Sequence, residues 1–376
     1  MTWRAARSVY YGATLFDGVS MLEDSAVVTE AGRIIAVTPV AERPRNGAQI
    51  DLGGGVLSPG FVDWQVNGGG GVLFNAEPTP QAIQKIAAAH RKFGTTAILP
   101  TLITDAPAVL TEGLKAARAA QTQTRSSLGI HVEGPFIDAN RKGAHRADFI
   151  RPMLQSDVAA LINAKSGSMV VTLAPNKVSA AHIQALSASG IVVSLGHSEA
   201  SAEEAEAGFA AGARAVTHLF NAMSQMQGRS PGLTGAALAR TDIICGLIAD
   251  GLHVHATALR AAIGAKGPRR IALVSDAMPP AAGGRDYFDL QGRPVSRAGN
   301  RLTDETGALA GAAIVMHDAV IYCVATLGIP LKDALTMATS TPARLLGLER
   351  EVGALAIGAR ADLIHLGAKA ELLAVV

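Results

Sequence analysis

Hydrophobic and polar positions follow two different patterns along the chain. Residues 1–58 contain short β-branched runs broken by Gly, Asp and Pro without a helical period, such as SVYYGATLF, SAVVTE and RIIAVTPV. Such runs predict the strands of a small antiparallel unit. From residue 59 onwards, short apolar runs alternate with alanine-rich segments whose apolar residues recur at helical spacing, for example TPQAIQKIAAAHRKF (79–93) and SAEEAEAGFAAG (201–212). This second pattern predicts alternating strands and helices.

The apolar runs of the second pattern predict the strands of a (β/α)8 TIM-type barrel, because there are eight of them. They are FVDWQV (61–66), TAILPT (96–101), LGIHVEG (128–134), MVVTLAP (169–175), IVVSLGH (191–197), RAVTHL (214–219), IICGLIAD (243–250) and IALVSD (271–276). A doubly wound sheet is the competing α/β fold. No GxGxxG motif follows a strand and opens a helix, however, so the nucleotide-binding signature of that fold is missing.

The carboxyl-terminal part of the chain predicts a second, smaller domain. The stretch 283–311 is irregular and hairpin-like and is expected close to the site, and two helical segments follow it. The ending GALAIGARADLIHLGAKAELLAVV returns to short strands, which we expect to pack beside the amino-terminal unit. The predicted α/β architecture is therefore a barrel domain over 59–344 and a small, discontinuous β-sandwich-like domain formed by 1–58 and 345–376.

Composition limits the classes of protein to which the chain can belong. Hydrophobic residues make up 49% and charged residues 17% of the 376 residues, which supports a sizeable core and excludes disorder. The formal net charge of +2 gives no basis for a nucleic acid or an acidic membrane surface as partner. The amino terminus lacks the apolar stretch of a secretory signal, and no run reaches the roughly 18 apolar residues of a membrane span. We expect a soluble, cytoplasmic protein.

Polar residues stand at the carboxyl ends of the predicted strands, where a βα barrel carries its chemistry. They are Gln65, Asn67, Glu133, His197, His218, Asp250, His253 and Asp276. Each alone has a structural explanation, because a lone histidine at a strand end more often makes a structural hydrogen bond, and a carboxylate there can cap a turn. A buried apolar strand nevertheless has little reason to end in such groups unless they satisfy each other or a cation.

The combination of these residues favours a metal site. Glu133, His197 and His218 supply one carboxylate and two imidazoles and leave a position for water, as in catalytic zinc sites. Asp276, a further carboxylate at the last strand, is placed to act on that water. His131 shares a strand face with Glu133 and is interpreted as a packed barrel residue. The remaining histidines are predicted on helices or surface segments outside the site: His90, His182, His255, His317 and His365.

These residues lie in motifs that resemble those of the amidohydrolase superfamily and, within it, of the N-acetylglucosamine-6-phosphate deacetylases. The similar segments are LSPGFVDWQVNGGGG (57–71), HVEGPFIDANRKGAH (131–145), VTLAPN (171–176), VSLGHS (193–198), THLFNAM (217–223), GRSPGLTGA (228–236), ADGLHV (249–254), LVSDAMPP (273–280), LAG (309–311) and TPAR (341–344). One such motif alone is weak evidence, whereas the ordered set is specific. The resemblance implies a barrel that hydrolyses the acetamide of a sugar phosphate to give the free amine and acetate.

The resemblance also implies roles for individual residues. Glu133, His197 and His218 match the family's ligands of one divalent ion per subunit, with Zn²⁺ as the first expectation. Asp276 matches the family's catalytic aspartate. His145 matches a histidine that contacts the acetamide of the substrate, where it can stabilise the developing oxyanion.

Other matched residues are implied to bind the sugar phosphate. Asn221, Ala222 and Arg229 correspond to residues near the phosphate, and Leu309 corresponds to a substrate-binding position. His253 matches a histidine that, in the family's homodimers, reaches into the neighbouring subunit's site. The implied partners are thus a small-molecule sugar phosphate and a second copy of the chain.

The first barrel strand departs from the pattern of many amidohydrolases, which carry His-x-His there and bind two metals. Gln65 and Asn67 stand in these places, and their neutral amides are poor ligands for a zinc-like ion, so one metal is expected. The alternatives are a sibling deacetylase, acting for example on N-acetylgalactosamine 6-phosphate, a cyclic-amide hydrolase, or an inactive amidohydrolase-like binding protein. The cyclic-amide reading is disfavoured because no lysine ends a predicted strand. Inactivity is disfavoured because the three ligands and the aspartate are all present.

Overall fold

The computed structural model describes residues 7–376 and contains twenty-two strands and ten α-helices in that range. The strands are β1 (Ser8–Tyr11), β2 (Thr14–Phe16), β3 (Met21–Leu22), β4 (Ser25–Glu30), β5 (Arg33–Pro39), β6 (Ala48–Asp51), β7 (Val56–Pro59), β8 (Phe61–Val66), β9 (Gly68–Gly69), β10 (Val72–Leu73), β11 (Thr95–Ile103), β12 (Gly129–Glu133), β13 (Ser168–Leu173), β14 (Val192–Leu195), β15 (Ala215–Val216), β16 (Ile244–Leu247), β17 (Ile271–Leu273), β18 (Tyr287–Asp289), β19 (Pro294–Ala298), β20 (Arg301–Asp304), β21 (Leu363–Leu366) and β22 (Leu372–Val375). The helices are α1 (Pro80–Arg91), α2 (Pro107–Gln123), α3 (Gln155–Ala164), α4 (Ala180–Ala188), α5 (Ala202–Ala210), α6 (Gly232–Ala239), α7 (Ala256–Lys266), α8 (Met316–Ile321), α9 (Leu331–Ala338) and α10 (Ser340–Leu345).

Eight parallel strands form the barrel, in the order β17–β16–β15–β14–β13–β12–β11–β8. Each strand is followed along the chain by one of the helices α1 to α8. The parallel bridge between Val66 and Ala277 joins the first and last strands at their carboxyl ends. The strands are buried almost throughout, as expected for a parallel sheet that is covered on both faces. The prediction of eight strands and a barrel is confirmed.

Local sequence signals explain where the barrel helices begin. The hydroxyl of Thr79 accepts the N–H of Ala82 and caps α1. Ser201 and Glu204 form a reciprocal capping box at the start of α5. Among the helices of residues 7–376, none combines the length and the apolar character that crossing a bilayer requires.

The predicted helical segment 331–347 is broken into α9 and α10. The break lies at Thr339, whose φ of −131° and ψ of −80° leave the helical region. Pro342 explains the break, because it has no N–H to bond the carbonyl of Ala338 and is tolerated only in the first turn of a new helix.

An antiparallel sheet of three strands, β18–β19–β20, is inserted between β17 and α8, and we call residues 287–304 the flap. The flap is tied to the mouth of the barrel, since the side-chain amide of Gln291 donates to the carbonyl of Thr104 at 2.8 Å. The guanidinium of Arg293 reaches the carbonyl of Ala144. The hairpin-like stretch therefore lies close to the site, as expected.

Strands from both ends of the chain share one sheet. A five-stranded sheet has the order β22–β21–β7–β2–β3, and β21 pairs antiparallel with β7, with Leu363 opposite Pro59. A four-stranded sheet, β5–β4–β1–β6, lies in the amino-terminal part. Leu15, Ile34 and Leu57 belong to an apolar cluster that includes Leu363. The contact between the two termini agrees with the expected arrangement, while the domain limits 59–344 and 1–58 plus 345–376 stay a prediction.

Candidate active site

Three side chains from different strand ends converge in the mouth of the barrel. Nε2 of His197 lies 3.2 Å from Oε1 of Glu133 and 3.0 Å from Nε2 of His218, which itself lies 3.0 Å from the same carboxylate oxygen. All three residues are buried. Glu133 ends β12, whereas His197 and His218 follow β14 and β15 with φ angles of +48° and +30°. Among residues 7–376, no other group of three His, Cys, Asp or Glu side chains converges in this way.

The spacing of the three atoms fits a zinc-type ion. Tetrahedral ligand atoms with bonds of about 2.0–2.1 Å lie roughly 3.3 Å apart, close to the observed separations. Nδ1 of His197 donates to the carbonyl of Arg141 at 2.8 Å, so that Nε2 carries the lone pair that faces the centre. Two imidazole nitrogens that face each other at 3.0 Å beside one carboxylate oxygen can bind one cation together.

The charges of the triad also favour a cation. Although burial opposes ionisation, in the absence of an ion the protonated rings of His197 and His218 can donate from Nε2 to Oε1, which holds the pKa of Glu133 well below its ordinary value. Burial favours the neutral form of His218, but its hydrogen bond to Glu133 and the charge of that carboxylate raise the pKa of His218 above its ordinary value. The buried site thus keeps an ionised carboxylate, whose charge a bound cation can compensate in place of a proton on His218.

Gln65 and Asn67, on and after the first barrel strand, direct their NH2 groups at carboxylates. Nε2 of Gln65 lies 3.1 Å from Oε1 of Glu133 and 3.1 Å from Oδ1 of Asp276. Nδ2 of Asn67 donates to the same Oδ1 of Asp276 at 2.7 Å. Both side chains therefore serve as hydrogen-bond donors that hold the two carboxylates in this arrangement.

Asp276 lies beside the triad, immediately after the last barrel strand. Its φ of +50° is in the left-handed region, and its N–H donates to the carbonyl of Gln65 at 3.0 Å. Burial, assisted by the charge of Glu133, raises the pKa of Asp276 to about 6. A carboxyl group whose pKa lies this close to neutrality is suited to taking up and returning a proton.

His145 borders the pocket as a neutral imidazole. Burial, with a smaller contribution from the nearby His197, lowers the pKa of His145 well below its ordinary value. The backbone N–H of Thr104 donates to Nδ1 of His145, and the hydroxyl of Thr104 lies 2.7 Å from the same nitrogen. Because Nδ1 accepts these hydrogen bonds, the proton of the neutral ring resides on Nε2, which makes that nitrogen a hydrogen-bond donor.

The remaining walls of the pocket contain both apolar and polar side chains. Ile103, Met278 and Leu309 line the pocket from β11, from the loop after β17 and from the segment behind the flap. Asn221 and Ala222 line it from the loop after β15. The structure thus brings Leu309, Asn221 and Ala222 together with the triad, Asn67, His145 and Asp276, as the sequence predicted.

His253 lies in the pocket of its own chain. Its Nδ1 lies 2.7 Å from Oδ2 of Asp250, and Oδ1 of Asp250 accepts the backbone N–H of His253 at 2.9 Å. This differs from the expectation that His253 reaches the site of a neighbouring subunit. The reason is the short turn held by Asp250, which folds the imidazole back over the mouth of its own barrel.

Arg229 does not line the pocket of its own chain, and its expected position near the phosphate stays a prediction. It is exposed in a turn that Gln227 and Ser230 close through reciprocal backbone hydrogen bonds of 3.0 and 3.2 Å. The neighbouring Met226 is 63% exposed. Residues 225–230 are all exposed, so this turn lies at the surface of the chain.

The other histidines lie outside the triad. His131 is buried in the barrel, and its Nε2 lies 2.7 Å from the hydroxyl of Thr172, as expected for a packed residue. His365 was expected on a helix or at the surface but lies buried on β21, where its Nε2 contacts the carbonyl of Gly54 at 2.8 Å. That expectation was wrong because the apolar residues on either side of His365 form a strand of the five-stranded sheet.

Two contributors to the site were not assigned a role by the sequence. Asp250 was among the polar residues at strand ends, but its contact with His253 depends on the turn between them. Thr104 directly follows β11, so its position at a strand end was the available signal. Its role depends on its contact with His145, which lies in a loop about forty residues further along the chain. The periodicity of the sequence does not predict such a contact.

We predict that replacing His145 with alanine lowers kcat by about 10²–10³-fold, the usual range for loss of an oxyanion donor. Thr104→Val keeps the backbone N–H that donates to Nδ1 and removes only the hydroxyl, so we expect a smaller loss, about tenfold. Steady-state kinetics of the two purified variants would test this order. A loss in Thr104→Val equal to that in His145→Ala would contradict the assigned tautomer.

Comparison with known proteins identifies the family of this fold and site. Residues 56–374 match the amidohydrolase family. The chain is 38% identical to the N-acetylgalactosamine-6-phosphate deacetylase of Shewanella sp. (strain ANA-3), over 97% of this chain and 93% of that protein. It is 32% identical to the N-acetylglucosamine-6-phosphate deacetylase of Haemophilus influenzae, over 93% and 92% of the two chains. The crystal structure of N-acetylglucosamine-6-phosphate deacetylase from Pasteurella multocida superposes with a TM-score of 0.95 at 34% identity, covering 98% of both chains.

Proposed function

We propose that this chain, which belongs to the amidohydrolase family, hydrolyses the acetamide of N-acetylglucosamine 6-phosphate to glucosamine 6-phosphate and acetate. The observation that carries this proposal is the convergence of Glu133, His197 and His218 beside Asp276, in a pocket that His145 and His253 also line. Relatives that share the fold over nearly the whole chain are deacetylases of this substrate class. The chain is accordingly a hydrolase of amide bonds.

The residues of the pocket have separate roles in amide hydrolysis. A divalent ion held by Glu133, His197 and His218 would, when bound, lower the pKa of a water molecule and polarise the amide carbonyl. Asp276 takes a proton from the attacking water and delivers it to the amide nitrogen, because an unprotonated amine anion is not a viable leaving group. His145 donates from Nε2 to the carbonyl oxygen as negative charge develops there.

Zn²⁺ is the ion that we propose, with one ion in each chain. One carboxylate and two imidazoles form a donor set of the kind found in catalytic zinc sites, where a further position stays open. Gln65 and Asn67 are already used as hydrogen-bond donors to the carboxylates of Glu133 and Asp276, so they do not extend this donor set.

We place the phosphate of the substrate beside His253, Asn221 and Ala222. Nδ1 of His253 donates to Oδ2 of Asp250 at 2.7 Å, so Nε2 can donate to the phosphate when the ring carries both protons, and the imidazolium then also contributes a positive charge. Asn221 and Ala222 line the same pocket. The acetamide then lies at the opposite end, between the triad, Asp276 and His145. This orientation places the reacting carbonyl where the proton-transfer group and the oxyanion donor meet.

The chain is further proposed to act as a cytoplasmic homodimer. Arg229 is exposed and does not reach its own pocket, although the resemblance associates it with the phosphate. In a symmetric dimer the exposed turn of one subunit would bring Arg229 to the pocket of the other. The division into a barrel domain, 59–344, and a small β domain, 1–58 plus 345–376, belongs to the same proposal.

We predict that Arg229→Ala and His253→Ala each lower kcat/KM for the phosphorylated sugar by about 10–100-fold. A charge-assisted hydrogen bond to phosphate contributes roughly 1.5–3 kcal/mol. Turnover of unphosphorylated N-acetylglucosamine should change less than about twofold, because that substrate never makes the contact. Arg118→Ala, an exposed change on α2, serves as the control. Equal losses on both sugars would show that neither residue binds phosphate.

Mixing of impaired variants tests the proposed exchange of Arg229. In a dimer of Arg229→Ala with Asp276→Asn, one site keeps its own Asp276 and receives an intact Arg229 from the partner. Such a mixture should therefore regain activity at one site in two. A mixture of His253→Ala with Asp276→Asn should regain none, since His253 serves its own chain. Recovery in the second mixture but not in the first would contradict this arrangement.

Substrate choice decides between the proposed function and its nearest alternative. The relative from Shewanella, at 38% identity, is named for N-acetylgalactosamine 6-phosphate, so this epimer is the second candidate. Comparing kcat/KM for the two acetylated sugar phosphates, with their unphosphorylated forms as controls, measures the preference directly. A preference for the galactose epimer would change the substrate but keep the chemistry, whereas release of acetate from neither would reject the proposed function.

A further inference from the structure

A buried carboxylate that takes no part in the proposed chemistry lies where the barrel closes. Asp63, on β8, is fully buried, and its Oδ1 accepts the backbone N–H of Gln65 at 3.2 Å. Its other partner is Ser275, which follows the last barrel strand. The hydroxyl of Ser275 donates to Oδ2 of Asp63, and the N–H of Ser275 lies 3.3 Å from both carboxylate oxygens. Burial raises the pKa of Asp63 to about 7, so the group is kept here against a cost in solvation.

Apart from this contact, the two strands are joined by an isolated bridge and by three backbone hydrogen bonds, from Asp276 to Gln65 and from Asn67 and Gly68 to Ala277. β17 ends at Leu273, and within residues 7–376 the first and last barrel strands share the isolated bridge Val66–Ala277 and no ladder. The hydroxyl of Ser275 also accepts the N–H of Ala277 at 3.2 Å. Ser275 is thus bound to Asp63 through its own N–H and binds the N–H of Ala277 through its hydroxyl. It therefore holds the backbone immediately before and immediately after Asp276.

Asp276 needs such support because of its backbone conformation. Its φ of +50° is one that residues other than glycine rarely adopt, and such residues persist only where their surroundings determine them. We infer that Asp63 and Ser275 are positioning residues, which hold this left-handed turn so that the carboxylate of Asp276 faces the Glu133–His197–His218 centre. This inference rests on the proposed function, in which Asp276 transfers the proton.

Ser275→Ala tests the role, because it removes one buried hydroxyl and leaves the pocket lining unchanged. We expect kcat to fall by about 10–100-fold, since a displacement near 1 Å can cost about 10²-fold. KM should stay within about twofold, because the contacts to the phosphate are untouched. Ser194→Ala is the matched control, a buried hydroxyl of β14 that bonds Thr217 inside the barrel. Unchanged kcat in Ser275→Ala, or a loss expressed only in KM, would overturn the inference.

A double variant separates positioning from general damage to the barrel. If Ser275 acts only through Asp276, then adding Ser275→Ala to Asp276→Asn should produce no further loss of the residual turnover. The same fold loss in both backgrounds would show that the two residues act independently, which contradicts the inference. Asp63→Asn, which keeps the shape of the side chain, provides the same comparison should Ser275→Ala fail to fold.

Crystal structures give a measurement that does not depend on turnover. In Ser275→Ala, or in Asp63→Asn, we expect Asp276 to leave the left-handed region or its carboxylate to lose the hydrogen bond from Asn67. A variant structure that retains both features would overturn the positioning role, whatever the activity. Absence of sugar-phosphate hydrolysis by the unaltered chain would reject the proposed function alone, because the structural comparison would still decide the role of Asp63 and Ser275.

Discussion

Replacing Asp276 with asparagine is expected to remove nearly all turnover while the fold and the ion site stay intact. Proton transfer by a placed side chain contributes about 10²–10⁴-fold, and an amide cannot take up the proton. The local structure should survive, because Oδ1 of Asp276 accepts hydrogen bonds from Asn67 and Gln65, and the oxygen of an asparagine can accept the same two. The measurement is kcat of the purified variant, with the metal content of the same sample determined by elemental analysis.

A matched substitution shows whether the loss is specific to this carboxylate. Asp318 is exposed and accepts the N–H of Val315 at the start of α8, outside the pocket lining. Asp318→Asn is chemically the same change and should keep kcat within about twofold. Near-normal turnover in Asp276→Asn, or a loss of bound metal that accounts for the whole effect, would remove Asp276 from its assigned role.

The barrel and the triad were predictable because both follow from local regularities. A parallel barrel strand is buried on both faces and therefore appears in the sequence as a continuous apolar run, as FVDWQV does for β8 (Phe61–Val66). The carboxyl ends of such strands meet at one rim. Glu133, His197 and His218 could thus be expected together before any distance was known, since each stands at the end of a run.

The residues that support Asp276 and His145 could not be predicted in the same way. Ser275 and Thr104 act through hydroxyl groups whose partners lie far away along the chain, on β8 and in the loop of His145. Periodicity shows which face of an element is buried but does not show which loop folds over it. For the same reason the sequence did not show that His253 lines the pocket of its own chain, because its position depends on the turn held by Asp250.

Removing the divalent ion is expected to abolish turnover and to lower the thermal stability of the chain. The ion contributes several kcal/mol of charge stabilisation in the transition state, which corresponds to about 10³-fold or more in rate. Without it, the buried carboxylate of Glu133 is left with the two imidazoles as its nearest compensating groups. An ion present at about 1,000 times its dissociation constant stabilises the folded state by roughly 4 kcal/mol. Chelation followed by calorimetry and an activity assay measures both effects, and His182→Ala, on the exposed face of α4, controls for loss of an unrelated histidine.

Adding Zn²⁺ back to the chelated protein should restore full turnover at one equivalent per chain, with no further gain at two. A second ion near the first strand would need oxygen ligands from Gln65 and Asn67, yet both amides present their NH2 groups to carboxylates. Turning them round would bring amide oxygens against the carboxylates of Glu133 and Asp276 and would forfeit four hydrogen bonds. Amide oxygens are also weaker zinc ligands than the imidazoles that bind the first ion. Recovery that requires two equivalents, with anomalous scattering from two ions about 3.5–4 Å apart, would show that these amides are ligands after all.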